Sequence, residues 1–197
     1  MTQNNFKFAI TGGIGSGKST VAEIIKRHNF AVFSCDAIYE ELLQDKEFLN
    51  NLSCEFGGVI KPDGTLDRKK LSEKVFNDKA ALDRLNAITH PAIMEEVFNR
   101  SKAYEVSFTE VPLLFEGGFE GDFDGVIVVL RDIDERISAV SQRDKIDAKS
   151  VNLRIKSQFN YENSNFTKYY VIHNEGNLDN LEQKTAEILE KIKAKYL

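Results

Sequence analysis

Residues Thr11 to Thr20 read TGGIGSGKST. Within them Gly12, four intervening residues and Gly17-Lys18-Ser19 satisfy the G-x-x-x-x-G-K-[ST] phosphate-binding pattern. The chemistry needs these types here. Glycines at 12, 13, 15 and 17 let the backbone curl until successive N–H groups face inward around an anion. A helix starting near Lys18 adds the positive end of its dipole. The Lys18 ammonium can reach the β- and γ-phosphates, and the Ser19 hydroxyl is a ligand for Mg²⁺. A dinucleotide loop of the G-x-G-x-x-G kind would leave Lys18-Ser19 unexplained. The loop therefore holds a nucleotide's phosphates, a property that motors, switches, transporters and kinases share.

Other residues separate those classes. No N-K-x-D segment that would read a guanine is present, and VIVVLRD offers Asp132 only after an intervening Arg131. Asp36 is expected just past the end of a second strand, where it could accept a hydrogen bond from an attacking hydroxyl and help place Mg²⁺. Its alternative is a helix N-cap, since AIYEELL follows. Glu110 could act through a Mg²⁺-bound water, and Glu116 could cap the turn after it. Arg136, Arg143 and Arg154 could neutralise transferring phosphate from a closing lid, or lie solvated on a helix. His90 could be a base or a structural hydrogen-bonder.

The elements that must position these groups can be traced along the chain. Phe6 to Ile10 reads as a buried strand, and Val21, Ile24 and Ile25 carry helical spacing up to about Asn29. Ala31 to Ser34 reads as a second strand. The stretch from 37 to about 104 is mainly helical, with a tight turn at KPDGT and an N-cap at Asp67. Leu71, Val75 and Phe76 are expected on the buried face of the helix after Asp67. Pro91 is expected to break the helical run and start a new helix at its first position. Strand texture spans Val106 to Glu116 and Gly125 to Leu130. Ile133 to about Phe159 reads as helical, Tyr169 to Asn174 as a last strand, and Leu181, Ile188, Leu189 and Ile192 as the apolar stripe of a final helix. Short apolar strands alternating with helices predict an α/β fold with a five-stranded parallel sheet covered by helices. The long helical insertion after strand two is expected to be a side subdomain that binds an acceptor.

A chain of 197 residues, 42% hydrophobic and 29% charged, suits one globular domain with an insertion. A net charge of -5 argues against a nucleic-acid coat or an anionic-membrane binder. Cys35 and Cys54 lack metal-ligand spacing and are expected to be reduced thiols, buried or half-buried. No basic and apolar leader opens the sequence, and no apolar run approaches the roughly 20 residues a membrane span needs, so a cytoplasmic protein is expected. A phosphate loop, an acceptor insertion and an arginine-bearing segment together suggest a small-molecule kinase. A regulatory ATPase whose helical region binds a protein partner is the rival from another class.

Several segments taken in order resemble the dephospho-CoA kinases: TGGIGSGKSTVA, the aspartate of SCDAIYEELL, FGGVIKPDGTLDRKKL, VFND, LNAITHPAI, VPLLFE, QRD, RIKSQ and VIHNEG. The resemblance spans nearly the whole chain. It implies ATP-dependent phosphorylation of the ribose 3′-hydroxyl of dephospho-CoA, with Mg²⁺, giving CoA and ADP. It further implies a kinase core of 1–36 and 105–197, a lid at about 136–160, and a CoA-binding subdomain at 37–104. Asp36 matches the family's proposed base. Gly13, Ile14, Gly15, Ser16, Gly17, Lys18, Ser19 and Thr20, with Asn174 and Gly176, match nucleotide contacts. Thr11, Arg68, His90, Pro112, Leu113 and Leu114 fall at acceptor-pocket positions, and Arg143 matches the lid arginine. Mg²⁺ would rest on Ser19, with Asp36 or Glu110 acting directly or through water. Two departures stand out: Ser34-Cys35-Asp36 where the family often has Asp-Ala-Asp, and Tyr169-Tyr170 where it commonly has Ala-Asp. The first bears on how Mg²⁺ is held. The resemblance leaves the oligomeric state open, with a monomer favoured, and implies no nucleic-acid or membrane partner.

Overall fold

The computed structural model describes residues 5–76 and 78–197. Five strands form one sheet: β1 (Phe6–Thr11), β2 (Ala31–Ser34), β3 (Val106–Glu110), β4 (Gly125–Leu130) and β5 (Tyr170–His173), in the spatial order β2-β3-β1-β4-β5. Parallel pairing puts Ile10 beside Glu110 on one side and beside Ile127 on the other, while Leu130 faces His173. The fold is therefore the α/β parallel sheet that the alternating pattern predicts.

Phe8, Ala9 and Ile10 are consecutive and fully buried, as a central strand covered on both faces requires. Phe8 and Ile10 pack with Phe108, Ile127, Val129 and Ile172 of neighbouring strands. Against that face lie Val21, Ile24 and Ile25 of α1 (Lys18–Arg27) and Leu181, Ile188, Leu189 and Ile192 of the last helix, Leu178–Tyr196. Since α1 begins at the phosphate loop, the same packing that builds the core anchors the loop's far end. Ile25→Ala is accordingly expected to cost about 2–5 kcal/mol of stability, the range for truncating a buried isoleucine, as read from the urea midpoint.

The contacts of the chain divide it into two compact units. One comprises the chain up to Phe33 together with Ser101–Leu197, and the other comprises Ser34–Arg100. The second has its own apolar centre, in which Leu52 and Val59 are fully buried among Leu43, Phe48, Leu49, Phe56, Leu66, Leu71 and Ala81. Its helices are α2 (Cys35–Leu42), α3 (Lys46–Phe56), α4 (Arg68–Val75) and α5 (Lys79–Ser101), whose last residue belongs to the other unit. Asp67 caps α4 by accepting from the Lys70 N–H, and Gly64 closes the KPDGT turn by donating to the Lys61 carbonyl.

Several local expectations are corrected. Pro91 starts no helix; it lies inside α5, which runs unbroken for 23 residues. Proline removes one intrahelical donor, but the periodic apolar contacts on both sides carry the helix across the gap. Phe76 is 79% exposed rather than buried, because α4 ends at Val75. The segment from Val106 stops being strand at Glu110, and α6 (Leu114–Gly117) follows. The arginine-rich stretch is two helices, α7 (Ile133–Asp144) and α8 (Ala148–Lys156), parted at Lys145, whose φ of 54° is left-handed. The final helix is α9. Neither cysteine is in a disulfide; Cys54 is exposed, and Cys35 is buried.

Candidate active site

In the first unit the functional groups gather where parallel strands end. The phosphate loop leaves β1 at Thr11, Glu110 ends the neighbouring β3, Arg131 and Asp132 follow β4, and Asn174 follows β5. Ligands of open parallel sheets bind at this carboxyl edge, near the point where the strand order reverses. Here that point is β1, flanked by β3 and β4.

The loop enters α1 through Gly17, which takes a left-handed φ of 98° as the helix N-cap. A side chain at Gly17 would also meet the Asn174 amide nitrogen at 2.3 Å, and that amide donates to the Ser16 carbonyl at 2.8 Å. Asn174 thus braces the loop from behind, beside the nucleotide position that the family resemblance implies for it. Gly176 holds the following turn with a φ of 84°. Lys18 folds its ammonium onto the Gly13 carbonyl at 3.2 Å. The Ser19 hydroxyl donates to Glu110 at 2.8 Å, bringing a hydroxyl and a carboxylate oxygen together. Two hard oxygen donors at the mouth of a phosphate loop suit Mg²⁺, which keeps several waters and takes few protein ligands. Among the described residues no group of three or more His, Cys, Asp or Glu could hold a metal ion.

Arg136 departs from the expectation of a mobile or solvated arginine. Its side chain is only 3% exposed, its Nε donates to the Ile14 carbonyl at 2.9 Å, and its guanidinium also pairs with Glu162. Arg143 is exposed and donates to Asp144 at 2.7 Å, and Arg154 donates to the same carboxylate at 3.0 Å. The two guanidinium groups hold Asp144 below the usual carboxylate range, the hydrogen bond from Arg143 being the larger cause. Thr11 is buried, and its hydroxyl lies 3.1 Å from the Tyr161 hydroxyl; burial raises Tyr161 to about 12. Leu114 is fully buried, leaving Pro112 and the 43%-exposed Leu113 as the parts of VPLL that a ligand can touch. Glu116 caps no turn; it accepts from the Phe159 N–H at 2.8 Å.

The second unit carries Asp36, Arg68 and His90. Asp36 lies in the first turn of α2, two residues past β2, but it is not the N-cap. Ser34 caps the helix, accepting from the Ala37 N–H, and so takes over the structural duty an aspartate could perform there. The Asp36 carboxylate is exposed and has no side-chain partner among the described residues. The other α2 carboxylates are engaged: Glu40 holds Arg68 by paired hydrogen bonds, one at 2.8 Å, and Glu41 holds Arg100. Four residues separate Asp36 from Glu40, so Arg68 is held one helical turn along from the free carboxylate.

His90 is half-buried in α5, and burial lowers its pKa. A folded-state value below the unfolded one means that stability is fully present above about pH 6.5 and falls as pH drops through it, since the unfolded chain takes up the proton first. His90→Gln is expected to flatten this acid-side slope in urea midpoints measured from neutral pH downward.

The residues that the sequence did not single out are Gln158, Tyr161 and Glu162. Gln158 accepts from the Ile14 N–H at 2.8 Å. It ends the RIKSQ segment, the one sequence signal that pointed toward it.

A family model described as dephospho-CoA kinase matches residues 7–180. A dephospho-CoA kinase of Fusobacterium nucleatum is 34% identical over 186 residues, covering 93% of this chain and 96% of its own. Among solved structures, a protein from Thermus thermophilus superposes with a TM-score of 0.83 at 31% identity, over 96% of this chain and 98% of its own. A dephospho-CoA kinase from Campylobacter jejuni gives 0.70 at 28% identity, over 97% and 98%.

Proposed function

This chain belongs to the dephospho-CoA kinase family, and we propose that it transfers the γ-phosphate of ATP to the ribose 3′-hydroxyl of dephospho-CoA, giving CoA and ADP. The observation that carries this is the family match over residues 7–180, which takes in the phosphate loop, Asp36 and Arg143 together.

The loop N–H groups and the start of α1 would bind the phosphate chain, and Lys18 would leave the Gly13 carbonyl to neutralise the β- and γ-oxygens. Asp36 would orient the acceptor hydroxyl and take its proton as the oxygen attacks phosphorus in line with the departing ADP oxygen. Its free carboxylate supports this role, because neither a cap nor an ion pair competes for it. Arg143 would exchange Asp144 for the transferring phosphoryl group, whose equatorial oxygens gather charge in the transition state. Arg68, His90, Pro112 and Leu113 would contact the acceptor, and Asn174 and Gly176 the region of the base. Ser19 and Glu110 would hold Mg²⁺, which when bound supplies positive charge to the β- and γ-phosphates. The carboxylate missing at Ser34 leaves Glu110 as the acid paired with Ser19.

The test is ADP release measured with and without dephospho-CoA, with CoA identified by mass. ADP formation that depends on dephospho-CoA and matches CoA in stoichiometry is expected. Equal ADP release without it, or phosphorylation of AMP, dCMP, shikimate or gluconate in preference, would overturn the assignment.

A further inference from the structure

Ile14 lies in the phosphate loop, and the two peptide groups on either side of its Cα are each held. Its N–H donates to the Gln158 side chain at 2.8 Å, and its carbonyl accepts from Arg136 Nε at 2.9 Å. Its side chain packs against Val140 of α7 and Val151 and Ile155 of α8. Beside it Gly13 lies so close to Arg136 that a Cβ there would sit 2.2 Å from the guanidinium. At Gly15 an added Cβ would meet Val140 at 2.8 Å and the Arg136 carbonyl at 2.9 Å. The helices that carry Arg143 and Arg154 are therefore docked on the loop around Ile14, and the loop's glycines at 13 and 15 make room for that docking.

We propose that Arg136, with Gln158, is a positioning residue for the transfer reaction: together they latch the two peptide groups that flank Ile14 and so set the shape of the phosphate loop. A buried guanidinium is costly unless its donors are used. Arg136 uses them on a loop carbonyl and on Glu162, bridging the loop to the segment after α8. An anion nest depends on the direction of successive N–H groups, so releasing a peptide group beside Ile14 disorders the donors around it. The latch acts on the phosphate chain and leaves the base untouched. This deepens the assignment of the phosphate loop as the ATP site and rests on it.

The experiment measures binding of ATP, ADP and adenosine to the purified full chain by calorimetry, alongside kcat and KM for each substrate. Arg136→Met and Gln158→Met are each expected to weaken ATP binding and raise its KM by roughly tenfold, the equivalent of about one net hydrogen bond. Adenosine affinity and the KM for dephospho-CoA should stay at the wild-type level. Arg136→Lys, which keeps the charge but loses the planar fork of donors, should recover part of the ATP affinity. Gln158 is half-exposed, so its variant decides the matter if Arg136→Met does not fold. Unchanged ATP affinity in folded variants overturns the latch, as does an equal loss for ATP and adenosine, which would indicate general damage to the unit. A wild-type chain that binds ATP but phosphorylates no dephospho-CoA would overturn the proposed function, while the binding comparison would still judge the latch.

Discussion

Replacing Asp36 by asparagine is expected to lower kcat by roughly 10²–10⁴-fold, the scale on which a positioned general base contributes, with little change in the KM for ATP. Asparagine preserves the size and polarity of the side chain but cannot accept the hydroxyl proton. The variant is informative because the fold does not lean on Asp36. Ser34 caps α2, Glu40 and Glu41 bind the neighbouring arginines, and the Asp36 carboxylate is exposed. Its thermal midpoint should match the wild type, so a fall in rate reports chemistry. Steady-state kinetics with dephospho-CoA check it. Turnover within a few-fold of wild type would remove Asp36 from the role of base.

Lys18→Ala is expected to act more broadly, cutting kcat by roughly 10²–10³-fold, as removal of one preorganised charge donor does, and raising the KM for ATP as well. In the structure the ammonium rests on the Gly13 carbonyl, so it is tethered to the loop it serves. Lys18→Arg should not restore activity, because a planar fork cannot replace a compact point charge inside a curled loop. Kinetics at saturating ATP separate the two effects. A variant whose loss disappears at high ATP would show that Lys18 binds the ground state only.

Much of the fold was legible because strong periodicities coincide with strong boundaries. β1, α1, β2, β4 and α9 fall where apolar runs meet glycine, asparagine or a turn; Asn29, for example, takes a left-handed φ of 63° just past α1. Pro91 misled because a local steric preference was outweighed by the apolar contacts of a long helix. At the site the phosphate loop was legible in full, since its chemistry dictates residue types at fixed spacing. Arg136 and Gln158 were not. Their roles arise from tertiary approach, 122 and 144 residues along the chain from Ile14, and nothing in local spacing carries that information. Tyr169 and Tyr170 were visible only as departures from the family pattern. Tyr169 joins the ring cluster of Phe115 and Phe166, and Tyr170 packs on Phe8 at the start of β5.

The contact between Gly13 and Arg136 also limits the order in which this chain can change. The backbone at Gly13 is not in the left-handed region, and the nearest atoms that an added Cβ would meet are those of the buried guanidinium. Alanine at 13 should be harmful while the arginine remains and tolerable once position 136 has been shortened. The effects of changes at the two sites are thus expected to be non-additive. A lineage that exchanged the latch for a bulkier loop would avoid this clash by losing the arginine first, passing through an intermediate that holds ATP less well. A glycine explained by a motif is, at this position, also a record of its distant neighbour.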